Sequence, residues 1–226
     1  LRIRGFLHVA ARFKLDTLRK FVDDTERNID FDTQSLINRL EQEASELNEE
    51  DQAEYWDYNI DRVHELEKDY PNILRYSILV SCYSTLEKTL VDLHHRLKNA
   101  GAPLRKLNHR SLNNLSIIAK VEYCFNNDLS ITALSSSKEW GKILHYNKIR
   151  NTIVHDLGRV YDYENTSLPE VVAVNQTDFV SFNHLGEIIL EKDFSFMLIK
   201  DIENFLDLTF EVVYKYRKAN SISGVL

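Results

Sequence analysis

Apolar residues recur at three- and four-residue spacing along most of this 226-residue chain, a pattern that predicts helices almost throughout. Residues 1 to about 28 carry Leu7, Ala11, Phe13, Leu15, Leu18, Phe21 and Val22 on such a spacing. Leu36, Ile37, Leu40, Leu47, Trp56, Ile60, Val63 and Leu66 continue it, with a predicted break near residues 48 to 52. Asp69-Tyr70-Pro71 reads as a helix start, with proline inside the first turn, and Gly101 with Pro103 as the matching stop. Ser111 or Asn113 opens a shorter helix running to about Phe125. Ser136-x-x-Glu139 has capping-box spacing ahead of a helix that ends at Gly158. Residues 159 to 178 look like loop, and "FVSFN" and "EIILE" around His184-Leu185-Gly186 can form a small β-hairpin. Asp193 then opens a last helix, with Phe194, Leu198, Ile202, Phe205 and Val213 on one face. The expected fold class is an all-α helical bundle with that hairpin before its last helix. The expected organisation is an N-terminal helical arm (1–68) and a helical core (69–226).

Composition agrees with long, weakly punctuated helices: there are only six Gly and three Pro, and 43% of residues are hydrophobic. Cys82 and Cys124 lack metal or CxxC spacing and read as reduced core thiols in a cytoplasmic protein, a disulfide being the alternative. No apolar run reaches transmembrane length and no signal peptide is apparent. The net charge of −7 opposes wholesale binding of nucleic acid but leaves room for a local basic surface. Charge is unevenly placed. Residues 41 to 70 hold twelve acids and two bases, so that stretch would repel RNA and suits the core surface or a protein partner. The first twenty residues are basic, as in a packed helix with a solvated face or a membrane- or nucleic-acid-surface helix. From His94 to Lys120 there is no acid, while Arg96, Lys98, Arg105, Lys106 and Arg110 lie within it. That stretch is either a receptor for RNA phosphates or a solvated loop. His94 and His95 do not form a metal site, since adjacent helical residues point apart and no ligand cluster accompanies them.

Two charges interrupt apolar helix faces. Ile143, Tyr146, Ile149, Ile153, Val154 and Leu157 define one sector, and Arg150 falls inside it, about 60° from Ile153. Asn147, Asn151 and His155 follow at i, i+4 and i+8 along the edge, with His155 about 140° from Arg150. On the preceding long helix Glu87 sits within the face marked by Tyr83, Leu86 and Leu90, and His94 falls there too. Lone buried charges cost several kcal/mol, so either Glu87 and Arg150 form a structural pair or these faces line a cleft for a polyanion.

"RNTIVH", Arg150-Asn151-x-x-x-His155, resembles the signature of the HEPN superfamily, all-helical domains found in many prokaryotic RNA-cleaving toxins and antiviral effectors. The resemblance covers roughly residues 70 to 220. It implies a cofactor-free, metal-independent endoribonuclease in which the RNA 2′-hydroxyl attacks the adjacent phosphorus and leaves a 2′,3′-cyclic phosphate. The active site would be composite, with both motifs of a homodimer facing one cleft. His155 would be general base or acid, Arg150 would neutralise the scissile phosphate, Asn151 would orient them, and Glu87 would pair with Arg150 or His155. The setting would be bacterial antiphage defence or toxin–antitoxin control, with an antitoxin or regulatory protein as a further partner and no membrane. Some toxin members carry a modifiable Tyr two residues after the His; here that position is Leu157. The alternatives are a non-catalytic helical interaction protein with Glu87–Arg150 as a structural pair, and an effector- or nucleotide-binding sensor using the basic cleft.

Overall fold

The computed structural model describes residues 5–222. Arg2 and Arg4 of the basic opening stretch, and residues 223–226 of the expected core, lie outside the described residues. The fold is all-α with one two-stranded hairpin. Its elements are α1 (Phe6–Ser45), α2 (Glu49–His64), α3 (Tyr70–Asn99), α4 (Ile117–Leu129), α5 (Lys138–Asp156), α6 (Pro169–Asn175), β1 (Val180–Phe182), β2 (Ile188–Leu190) and α7 (Phe194–Ala219).

α1 is a single forty-residue helix, and its two halves do different things. Leu7, Ala11, Leu15 and Val22 enter the same core as α3 and α7, while Leu40 and Ala44 lie beyond that core, on the stretch that packs against α2. The predicted break is present: Asn48 opens α2 by accepting hydrogen bonds from the backbone N–H groups of Glu50 and Asp51.

α3 starts where expected, at Tyr70 with Pro71 inside its first turn, but no break precedes it. A π-helical turn, Glu65–Asp69, joins α2 to α3, and the Tyr70 N–H bonds back five residues to the Glu65 carbonyl. Proline lacks an N–H and crowds the preceding turn, and the wider turn lets the helix run through it. The expected boundary at residue 68 therefore falls inside a continuous helical run, and the first half of α1 belongs to the core rather than to an arm.

Two other starts move by one to a few residues, and one helix was not expected. Residues 110–112 make a single 3-10 turn, and Ser116 caps α4. Ser137, not Ser136, caps α5, its hydroxyl accepting from the Trp140 N–H at 3.1 Å. Ser136 instead donates to the Thr132 carbonyl. The expected loop 159–178 contains α6, opened by Pro169.

The hairpin forms where expected, pairing Val180 with Leu190 and Phe182 with Ile188. It fixes the end of α5. Leu157 and Gly158 both take left-handed conformations (φ +53° and +82°), ending the helix. The Ile188 N–H then bonds to the Gly158 carbonyl at 2.9 Å, and the Val160 N–H to the Gly186 carbonyl at 2.8 Å. Tyr76 of α3 donates to the Ile188 carbonyl at 2.5 Å, and a Cβ on Gly158 would overlap the Tyr76 hydroxyl. So the end of α5 lies near the beginning of α3, and the two helices run antiparallel.

Candidate functional site

α5 buries Ile143, Tyr146, Ile149, Thr152 and Ile153. Its fixed orientation comes from α7: Asp201 accepts from the Tyr146 hydroxyl at 2.6 Å and from the Lys142 ammonium at 2.8 Å. Burial and the neighbouring Asp201 carboxylate push the Tyr146 phenol up, so it stays a donor. The apolar sector read from periodicity is thus split. Val154 is open to solvent and Leu157 is 86% exposed, because the helix ends and the chain turns away before they can be covered.

Arg150 sits at the edge of the buried face, half-buried. Its Nη1 donates to the Asn151 side-chain oxygen at 3.0 Å, and its guanidinium carbon lies 6.0 Å from the centre of the Tyr83 ring on α3. Its Nε is enclosed and has no hydrogen-bond partner. Glu87, one turn along α3 from Tyr83, is also half-buried. Loss of hydration raises its carboxyl above the usual range, and the Arg150 charge partly offsets this. Among the described residues no ion pair within 4.0 Å joins Glu87 to Arg150. The structural pair considered from sequence is not closed, and the two charges act on each other only at longer range.

Asn151 and His155 lie one turn apart on the outer side of α5 and line a shallow groove with Lys148, Arg159, Tyr161 and Glu170. His155 is exposed. Tyr161, 85% exposed, lies under the Arg159 guanidinium, 5.0 Å from its ring centre. α6 contributes Glu170, which approaches Lys148 at 3.5 Å. The structure therefore brings Tyr83, Glu87, Arg150 and Asn151 together, with His155 on the other side of Asn151. Arg150 and His155 do not touch within one chain. Tyr83 was visible in sequence only as a core position; Arg159, Tyr161 and Glu170 fell in what read as featureless loop.

The basic stretch is not part of this groove. It lies at the C-terminal end of α3, about 30 Å along that helix from Tyr76, against which the end of α5 packs. Arg96, Lys106 and Arg110 are exposed. Lys98 donates to the Leu104 carbonyl. Arg105, expected among the RNA contacts, is engaged within the chain. Its Nε and Nη2 both bond Asp128 (2.9 and 2.5 Å), Nη1 bonds Ser111, and the group covers Tyr123. Asp128 is held below the usual carboxylate range by Arg105 despite its burial. The guanidinium closes this loop.

Among the described residues no helix is long and apolar enough to cross a membrane. No family model matches the chain, and no curated protein or solved structure is significantly similar to it.

Proposed function

We propose that this protein is a metal-independent endoribonuclease of the HEPN type, acting as a homodimer in prokaryotic defence or toxin–antitoxin control. The observation that carries the reading is the state of the Arg150-Asn151-x-x-x-His155 motif. Its arginine has a single side-chain hydrogen bond and an orphan Nε, and its histidine is exposed on a groove. A guanidinium kept for structure would be expected in a closed pair, as Arg105 is with Asp128. That difference counts against the purely structural alternative.

In the proposed reaction the 2′-oxygen bonds to the adjacent phosphorus as its proton passes to a histidine base. The bond from phosphorus to the 5′-oxygen of the next nucleotide breaks, and that oxygen takes a proton from a histidine acid. The products are a 2′,3′-cyclic phosphate and a 5′-hydroxyl. His155 supplies base or acid, and Arg150 neutralises charge growing on the non-bridging oxygens. Asn151 links Arg150 to the helix edge that carries His155. Two histidines are needed for the two proton transfers, and one chain offers one. A second copy would supply the other, and the exposed Leu144, Val154 and Leu157 on and just after α5 give it apolar surface to cover.

The test is incubation of the full chain with total RNA and with tRNA in excess EDTA, beside His155→Ala and Arg150→Ala. Expected are new ends carrying 2′,3′-cyclic phosphate, absent with either variant. Cleavage that persists in both folded variants, or a folded wild-type dimer inert on every RNA offered, would overturn the reading.

A further inference from the structure

At the C-terminal end of α3, His94, His95, Lys98, Lys106, Leu107 and Asn108 line a recess of about 400 Å³. His94 is 0% exposed, so it belongs to the packed interior, yet only half of its ring is satisfied. Nε2 bonds the Arg105 carbonyl at 3.0 Å and must carry a hydrogen to do so. Nδ1 is enclosed and has no partner. Buried polar atoms are normally paired, and this one is left without a partner on a residue that lines a recess together with two lysines.

We propose that this recess binds a phosphate monoester, with Lys98, Lys106 and His95 around the anion and His94 Nδ1 sharing a proton with one of its oxygens. A monoester fits better than a diester for a reason of protons. A neutral His94 offers a lone pair at Nδ1, which needs a donor from the ligand. A monoester titrates near neutral pH and can bring that proton itself, whereas a diester carries none. Burial lowers the His94 pKa, so the ring is neutral when the site is empty. The groups acting on it are His95, Lys98, Arg105 and Asp128, and the Asp128 charge is already bonded to Arg105. The negative end of α3 would repel an anion, but its last carbonyls are occupied. The Ala100, Gly101 and Ala102 N–H groups bond the carbonyls of Arg96, Lys98 and Leu97. The site is independent of the motif on α5 and of the ribonuclease reading.

Three probes separate the sources of such a group: inorganic phosphate, a short 5′-phosphorylated RNA, and the same RNA with a 5′-hydroxyl. Titration calorimetry on the full chain carrying His155→Ala, which removes the proposed cleavage, reads their affinities. Expected is phosphate binding that tightens as pH falls from about 7.5 to 6. The 5′-phosphorylated RNA should bind at least about tenfold more tightly than its 5′-hydroxyl twin if the source is an RNA end. Binding of inorganic phosphate alone would keep the site and assign it to free phosphate. Adding Lys106→Gln with His95→Gln, both exposed, should cost about tenfold or more in affinity. Failure of inorganic phosphate and of the 5′-phosphorylated RNA to bind more tightly than the 5′-hydroxyl RNA, or phosphate binding unchanged by the double variant, would overturn the proposal.

Discussion

Replacing Arg150 by Met should barely change stability, and that expectation separates a site residue from a structural one. The side chain gives up one hydrogen bond, to Asn151, worth about 1 kcal/mol. It also gives up a loose contact with the Tyr83 ring at 6.0 Å, worth about 0.5 kcal/mol. Against these, an enclosed Nε with no partner disappears, which relieves about 1 to 3 kcal/mol. The Met carbon chain refills most of the volume. The sum runs from about −0.5 to about +1.5 kcal/mol, a shift of at most about 6 °C in Tm for a chain of this size. Arg75→Met is the control. Arg75 binds Glu26 in a two-pronged pair (2.7 and 2.9 Å) and also the Leu190 carbonyl, and Glu26 is 2% exposed. Removing that partner leaves a buried carboxylate alone and should cost about 3 to 5 kcal/mol. Urea and thermal unfolding of both variants beside wild type measure the contrast. If Arg150→Met lost more than about 2 kcal/mol, approaching Arg75→Met, Arg150 would be a structural residue and the argument from its unpaired state would fail.

Further consequences can be checked on the same protein. Gly158→Ala should be destabilised by about 1 to 3 kcal/mol, since φ is +82° and the added carbon overlaps the Tyr76 hydroxyl; unfolding midpoints measure it. Burial pushes the Cys82 and Cys124 thiols up to about 12 and about 11, so native protein at about pH 8 should resist alkylation that unfolded protein undergoes rapidly, as read by mass spectrometry. The Glu87 carboxyl is raised, so its contribution favours the folded state at low pH and is lost as pH rises from its ordinary 4.5 through the folded value. Glu87→Gln should therefore gain stability relative to wild type at pH 7 and not at about pH 4, measured by paired urea titrations. A fragment starting at residue 69 should not fold alone. It would uncover the core contacts of Leu7, Leu15 and Val22, each about 1.5 to 3 kcal/mol, against a total stability of about 5 to 15 kcal/mol; circular dichroism decides it.

Most of the fold was legible because helices announce themselves through local spacing. The break before α2, the hairpin and the end of α5 at Gly158 all follow from short-range signals. What spacing cannot say is how far a helix continues through a tolerated irregularity. Pro71 marks the start of α3 as its position predicts, and the π turn before it, which no spacing announces, joins that start to α2 without a break. α6 was missed for a related reason, its seven residues being too few to display a period. The candidate site was half legible. Arg150 and Glu87 stood out as charges in apolar sectors, and both are half-buried at the α3–α5 contact. That they stay apart depends on rotamers and helix offset, which no periodicity encodes. The Arg105–Asp128 closure likewise joins residues twenty-three apart across a loop, so the acid-free stretch looked freer than it is.

The strongest physical argument for a site on α5 comes from how charge is handled elsewhere in the chain. Glu26 is matched by Arg75, Asp128 by Arg105, Asp201 by Lys142 and Tyr146, and Glu203 by Arg19. Each of these carboxylates is largely shielded, and each has a direct partner, as the cost of an unpaired charge in low dielectric requires. Glu87 and Arg150 depart from this, as does Glu122 with its enclosed, unpartnered Oε1. Glu87 and Arg150 are opposite charges, both half-buried, close enough to influence each other yet not joined. No direct pair is made between them. That makes sense if the guanidinium must remain available to something outside the chain, and if the carboxylate sets its field without capturing it. An exposed histidine one turn beyond Asn151 then gives the waiting cation a proton carrier on the same helix. In the proposed mechanism a second copy would join them into one centre, so the proposed dimer and the proposed chemistry stand or fall together.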